Sequence, residues 1–273
     1  MDRLAVARAA DAIAGADVVI VTAGAGLGVD AGLPDFRGTD GFWGAYPPYA
    51  ELGMSFERMA SPDTFRADPE LAWGFYAHRR RLYRDTEPHD GMRLLATWIA
   101  DAPAAGAAFT SNVDGLLQAA GVDEDALVEC HGTIHLDQCL RGCGQRPWEA
   151  THTPEVDEAT MRAVGDLPAC PGCGGLARPN VLMFGDWGWD PTRTDAQERR
   201  LARLLDECVG AELTVVEVGA GTRLPTVRRF GEGLVASHGA VLVRIDPREP
   251  GGGTIGIRAG GLEALTAIDA AFA

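Results

Sequence analysis

This sequence offers no segment with the unbroken apolar length of a membrane-spanning helix. Its first residues, MDRLAVARAADAIAG, carry charges among alanines and lack the apolar core of a secretory signal. They read instead as an amphipathic opening helix. The expected compartment is the cytoplasm, where thiols stay reduced. Basic charge is also scarce: Lys plus Arg total 24 against 39 Asp plus Glu, a formal net charge of -15. That balance argues against binding nucleic acid through its phosphates and against docking on an anionic membrane. There is no GxxxxGKS/T motif, which disfavours a nucleotide triphosphatase. No internal repeat is visible, and no low-complexity linker beyond Pro250-Gly-Gly-Gly253. What remains is a 273-residue chain, 46% hydrophobic and 23% charged. That is the composition of a globular protein with one large domain, or a large one with a small partner.

Six cysteines are present, and four form two close pairs, Cys139-x3-Cys143 and Cys170-x2-Cys173. Both pairs sit among turn formers (LRGCGQRP after the first cysteine, PACPGCGG around the second pair). In a reducing compartment this reads as a four-thiolate zinc site rather than as disulfides. Four thiolates close the coordination sphere, so the expected ion is structural. Cys130 and Cys208 lack close partners and read as small core residues.

Apolar runs at 17–22, 107–110, 126–129, 213–218 and 240–245 each end in a polar or glycine-rich cluster. Buried strands with polar residues at their carboxyl ends suit a Rossmann-like, doubly wound α/β sheet, whose ligands bind at those ends. The stretch 41–98 is aromatic-rich with helical periodicity, and 136–177 holds the paired cysteines. Both read as insertions that together form a smaller helical and zinc-binding module. The sheet domain then comprises 1–40, 99–135 and 178–273.

Five constellations carry chemistry. Gly24-x-Gly26-x-Gly28 follows a strand and precedes a helix start, a layout that presents backbone N–H groups to a pyrophosphate. A tight turn alone would also use these glycines, and no strand-end acid follows about 20 residues later as a dehydrogenase would need. Thr110-Ser111-Asn112-Val113-Asp114 ends a strand and can hold a ribose hydroxyl and a carboxamide, or cap the next helix. His131-Gly132 also follows a strand and exposes an imidazole suited to general-base work. Arg178–Asp186, RPNVLMFGD, is either an edge that pairs with a peptide strand or a return strand into the sheet. Gly219-Ala-Gly-Thr222 is a second glycine turn, and Asp246 ends the following strand where a carboxylate can bind a ribose diol.

In their order along the chain, these residues resemble the sirtuin family of NAD-dependent protein lysine deacylases. The family pattern runs GAGxSxxSGIPDFRG, TQNxDxL, HG, two cysteine pairs, RPxxVxFGE, a GTS turn and a late strand-end Asn. The matching segments are GAGLGVDAGLPDFRG, TSNVDGL, HG, Cys139/Cys143 with Cys170/Cys173, and RPNVLMFGD. The resemblance implies that Gly24, Ala25 and Gly26 cradle the NAD pyrophosphate. It places Asp35, Phe36 and Arg37 on the cofactor loop, and Ser111, Asn112 and Asp114 at the nicotinamide pocket. Gly219, Gly221, Thr222 and Asp246 would complete the cofactor site. His131 would be the general base, with Asn112 beside it in catalysis, and Zn2+ would be structural. Val181, Met183, Phe184 and Gly185 would line the peptide cleft for an acylated protein lysine. Tyr76-x-x-Arg79 matches the pair that family members use to hold succinyl and malonyl carboxylates, though it also reads as an ordinary charged helix face.

Departures from the pattern point to alternatives. Gly28 replaces the usual Ser, Ser111 the Gln and Asp246 the Asn. The turn reads Gly219-Ala-Gly-Thr-Arg-Leu-Pro-Thr226, and Trp187-Gly-Trp189 replaces Asn-Leu-Pro. GAGTRLPTVRRF is closer to the macrodomain-linked bacterial sirtuins, which transfer ADP-ribose to a lipoyl-bearing carrier protein. Those proteins typically lack the His that is present here at 131. Deacylation is therefore the leading expectation, with ADP-ribosyl transfer, NAD glycohydrolysis or a non-catalytic NAD sensor as alternatives.

Overall fold

The computed structural model describes residues 1–34, 44 and 46–272. Six strands pair in parallel in the order β11-β10-β9-β1-β2-β3. They are β1 (Val18–Ala23), β2 (Ala105–Thr110), β3 (Leu127–Glu129), β9 (Leu213–Val218), β10 (Val241–Ile245) and β11 (Ile255–Ile257). All six residues of β1 are buried, as both faces of a doubly wound sheet require. Alternation sorts its side chains: Val18 and Ile20 enter one core, Val19 and Val21 the other. The chain's order of strands reverses beside β1, so the crevice at its carboxyl end is where this fold binds ligands.

The helices follow in chain order: α1 (Arg3–Ala14), α2 (Pro47–Glu51), α3 (Phe56–Met59), α4 (Pro62–Ala67), α5 (Pro69–Asp85), α6 (Asp90–Ala100), α7 (Leu116–Ala119), α8 (Thr192–Glu207), α9 (Thr226–His238) and α10 (Gly261–Asp269). Ala9, Leu95 and Leu265 bring α1, α6 and α10 into the core with Val19 and Val21. Leu201, Leu205 and Leu234 bring α8 and α9 to the opposite core. Helix α8 also covers β3, the short strand at the sheet's end. Gln197 Oε1 accepts the Glu129 N–H at 3.1 Å, and the Thr194 hydroxyl donates to the Glu129 carbonyl at 3.0 Å. Backbone groups left over at an edge strand are thereby satisfied.

The remaining strands are antiparallel. β4 (Gly132–Cys139) pairs with β5 (Trp148–Glu149) on one side and with β8 (Ala177–Val181) on the other. β6 (Glu155–Asp157) and β7 (Arg162–Val164) form a two-stranded unit of their own. Strand β4 runs across position 135/136 and β8 across 177/178, where the sequence-based boundaries were drawn. The two strands pair antiparallel along their length, and neither pairs with the parallel sheet. Residues 178–181 are therefore no return strand into that sheet. Helix α5 is bound to this unit by buried Arg80, whose Nε donates to the Ile134 carbonyl at 2.9 Å while Nη2 pairs with Asp137.

Candidate active site

The carboxyl ends of β1, β2, β3, β9 and β10 open onto one cavity of about 830 Å³, reached by Gly24, Asn112, His131, Gly219 and Arg248. Its outer wall comes from α3 and α5 and from the segment after β8, through Phe56, Tyr76 and Phe184. That volume suits a cofactor with a substrate segment beside it.

The floor is built from two glycine turns in backbone contact. The Gly26 N–H donates to the Gly219 carbonyl at 3.0 Å. A Cβ on Gly24 would stand 2.7 Å from that same oxygen. Gly219 adopts φ +63°, and a Cβ there would lie 2.6 Å from Gly26 Cα. Neither position admits a side chain, for lack of room at both and for backbone conformation at Gly219. Gly24, Ala25, Gly219, Gly221 and Thr222 line the cavity, while Gly26 is spent joining the turns. A floor of close-set backbone with no side chains over it fits a pyrophosphate, so these residues suit the NAD that the resemblance implies.

Side chains then fasten the ends of β1 and β2 together. The Thr110 hydroxyl donates to the Ala23 carbonyl at 3.0 Å and accepts the Asn112 N–H at 3.0 Å. The Asn112 amide donates to the Gly24 carbonyl at 3.1 Å, which turns one end of that side chain toward the cradle. Asp114 lines the cavity and caps the next turn by accepting the Leu116 N–H at 2.9 Å. Burial pushes its carboxyl up to about 6, with repulsion from Glu129 adding to the shift. Ser111 and His131 share the same wall. Burial holds the His131 imidazole below its ordinary range, against an opposing backbone hydrogen bond at Ser111. A base kept neutral near physiological pH is what proton abstraction needs.

Tyr76, Arg79, Val181, Met183 and Phe184 also reach the cavity. Gly185 instead provides a turn at φ +67° beside them. Asp35, Phe36 and Arg37 lie outside the described residues. Asp246 departs from its expected place: it is fully buried, and Oδ1 accepts the Arg248 and Glu249 N–H groups at 2.8 and 2.9 Å. The carboxylate closes its own loop, and Arg248 and Glu249 face the cavity in its stead. Sequence reading also missed Arg228. Its guanidinium donates to the Ala220 and Glu249 carbonyls, both at 2.8 Å, and so braces the two cofactor-side loops. An arginine just inside a helix gives no sign in the sequence of which carbonyls it will meet.

The four paired cysteines converge. Cys139 and Cys173 sulfurs are 3.7 Å apart, Cys143 and Cys170 sulfurs 3.6 Å, and all four lie within 4.8 Å of one another. A tetrahedron of sulfurs about 2.3 Å from zinc has edges of about 3.8 Å, so the cluster fits that ion. Cys130 is buried elsewhere, and desolvation pushes its thiol up to about 12.

The Sir2 family model matches residues 24–216. An NAD-dependent protein deacylase of Aquifex aeolicus (strain VF5) is 34% identical over 232 residues, covering 85% of this chain and 84% of that protein. NAD-dependent protein deacylase 1 of Pseudomonas aeruginosa (strain PAO1) is 30% identical over 237 residues, covering 86% of this chain and 85% of its own length. Among solved structures, a Sir2 homolog–NAD complex superposes with a TM-score of 0.75 at 24% identity, over 97% of this chain and 93% of that one. A Sir2 homologue–ADP ribose complex gives a TM-score of 0.71 at 25% identity, over 99% and 96%.

Proposed function

The chain belongs to the Sir2 family, and on that premise we propose that it is an NAD-dependent protein lysine deacylase with His131 as its general base. One observation carries the reading: a half-buried, neutral-leaning imidazole, an asparagine and an up-shifted carboxyl stand over a floor of bare backbone in one cavity. Gly24, Ala25, Gly219, Gly221 and Thr222 would hold the phosphates and sugars of NAD. When bound, NAD would supply a ribose carbon whose bond to nicotinamide can be broken, so that with one water an acyl group passes from a lysine amide to ADP-ribose, releasing nicotinamide and the free amine. Asn112, anchored on the Gly24 carbonyl, positions the nicotinamide end. His131 takes the proton of a ribose hydroxyl, and its low basicity keeps it ready to do so at neutral pH. Phe56 and Phe184, edge-to-face at 5.9 Å between centroids, exclude water from the outer wall.

The substrate is an acylated lysine in a protein, seated along Val181–Phe184. Tyr76 and Arg79 favour acyl groups that end in a carboxylate, so succinyl- and malonyl-lysine join acetyl-lysine as candidates. We place the activity in the cytoplasm. Among the described residues no helix is long and apolar enough to cross a membrane. The parallel sheet is the NAD-binding part, and the helical and cysteine-bearing segments form the smaller one. A structural zinc at Cys139, Cys143, Cys170 and Cys173 completes the latter. The altered turn at 219–226 and the Trp187-Gly-Trp189 loop favour a second reading, ADP-ribosyl transfer or NAD hydrolysis on the same scaffold.

Mass spectrometry of products from NAD with acetyl-, succinyl- and lipoyl-lysine peptides separates the readings. O-acyl-ADP-ribose supports deacylation, whereas ADP-ribosylated protein or free ADP-ribose supports the second reading, and no turnover leaves a sensor. His131→Ala should remove acyl transfer and keep NAD binding. Wild-type turnover in that variant overturns the assigned base.

A further inference from the structure

Helix α5 carries Tyr76, Arg79 and Tyr83 at i, i+3 and i+7, which puts all three on one face. All three line the cavity, and each is buried. The phenol oxygen of Tyr83 receives two hydrogen bonds from Arg79, from Nε at 2.9 Å and from Nη2 at 2.6 Å. The guanidinium carbon also lies 5.2, 5.8 and 5.2 Å from the ring centres of Phe75, Tyr76 and Tyr83. Two donors sharing one acceptor fix the roll of a planar fork, so little orientational freedom is left for a ligand to remove.

Among the described residues, two phenol hydroxyls at this end of the cavity find no acceptor. Tyr83 spends its lone pairs on Arg79, and among the described residues nothing accepts its own hydroxyl hydrogen. The Tyr76 hydroxyl is buried with no hydrogen-bond partner among them. Burial pushes the Tyr76 phenol up to about 12 and raises that of Tyr83, so both stay protonated and able to donate. A buried donor left unmade is costly, and a ligand oxygen recovers that cost. An acetyl methyl group brings no oxygen to this point. A longer acyl chain with a terminal carboxylate brings two.

We propose that Tyr83 is a specificity-determining residue, which aims the Arg79 fork and adds its own hydroxyl to a donor set that selects carboxylate-ended acyl groups. The proposal rests on the deacylase reading above and on the same cavity. It extends that reading to a third side chain.

Turnover of matched acetyl- and succinyl-lysine peptides at saturating NAD, in wild type and in Tyr83→Phe, tests it. Loss of the hydroxyl should lower kcat/KM for succinyl-lysine about tenfold, through KM. Acetyl-lysine turnover should stay within about twofold of wild type. Equal losses on both peptides would reduce Tyr83 to a packing role and overturn the proposal, as would an unchanged succinyl rate. A wild type that turns over acetyl-lysine alone overturns it too, but leaves the deacylase reading standing. Absence of any acyl-ADP-ribose from wild type removes both. Should Tyr83→Phe fail to fold, Tyr76→Phe deletes the other unpaired donor without disturbing the Arg79 fork. Its KM for succinyl-lysine should rise about tenfold, and an unchanged KM there counts against the proposal.

Discussion

Asp114 lowers the stability of the fold in its ionised form. Burial lifts its carboxyl from an ordinary 3.8 to about 6, so the folded chain holds a proton that the unfolded chain has released. Across that window stability falls as pH rises. Above it, the half-buried carboxylate costs on the order of 2–3 kcal/mol at most. Asp114→Asn keeps an oxygen for the Leu116 N–H and removes the charge. The variant should therefore resist urea better than wild type at pH 7.5, by about 1–2 kcal/mol, with the gap closing toward pH 4. Turnover should fall in the same variant if the carboxylate serves the nicotinamide end. A variant that is less stable than wild type at pH 7.5 would show that the carboxylate is satisfied where it sits. His131, in the same wall, carries no such conflict: burial and function both favour its neutral form.

The paired strands β4 and β8 join two sites that the sequence presents separately. Cys139 ends β4, and Gly132, next to His131, begins it. Cys170 and Cys173 precede β8, and Leu182–Phe184, on the cavity wall, follow it. Eight residues of strand span roughly 25 Å, so the sulfur cluster grips one end of a ribbon whose other end lines the cavity proposed for the peptide. Cys170→Ser should lower the melting temperature by several degrees and raise KM for peptide more than KM for NAD. The glycine floor belongs to the other sheet, which is why NAD should be spared. Equal rises in both would mean that the two sheets loosen as one unit. Arg80–Asp137 and Arg178–Asp186 still hold the ribbon without metal, so outright unfolding is not expected. Much of this layout was legible beforehand, because apolar runs ending in glycine or polar clusters mark strand ends, and paired cysteines mark a metal. Tyr83 was not, since the i+7 position matters only once the helix face turned to the cavity is known. The loop-capping bonds of Asp246 were not legible for a related reason. A strand-end carboxylate can bind a ligand or cap its own loop, and the sequence reads the same in either case.

Across the whole chain, every one of the 24 basic residues is arginine, and lysine is absent. Part of this is structural. Buried Arg80, Arg178 and Arg244 each pair with a carboxylate and also donate to backbone carbonyls. A forked guanidinium can do both at once, whereas a single ammonium cannot match that geometry. The chemical consequence is larger. A deacylase works among proteins whose lysines are acylated, and reactive acyl donors modify amines. Guanidinium stays protonated and is a poor nucleophile near neutral pH, so this chain carries no side-chain amine to modify and no substrate for itself. Its charge of -15 is also fixed, because no acylation of a side-chain amine can add to it. Prolonged incubation with succinyl-CoA or acetyl phosphate should therefore leave at most one stable acyl group on the protein by intact mass, at the amino terminus. Deacylase activity should survive the treatment at its starting rate once the donor is removed. Stable adducts in larger number would reveal reactive groups other than amines, with the cysteine thiols first to be mapped. Loss of activity in step with the single terminal adduct would show that the amino terminus acts as a regulatory site after all.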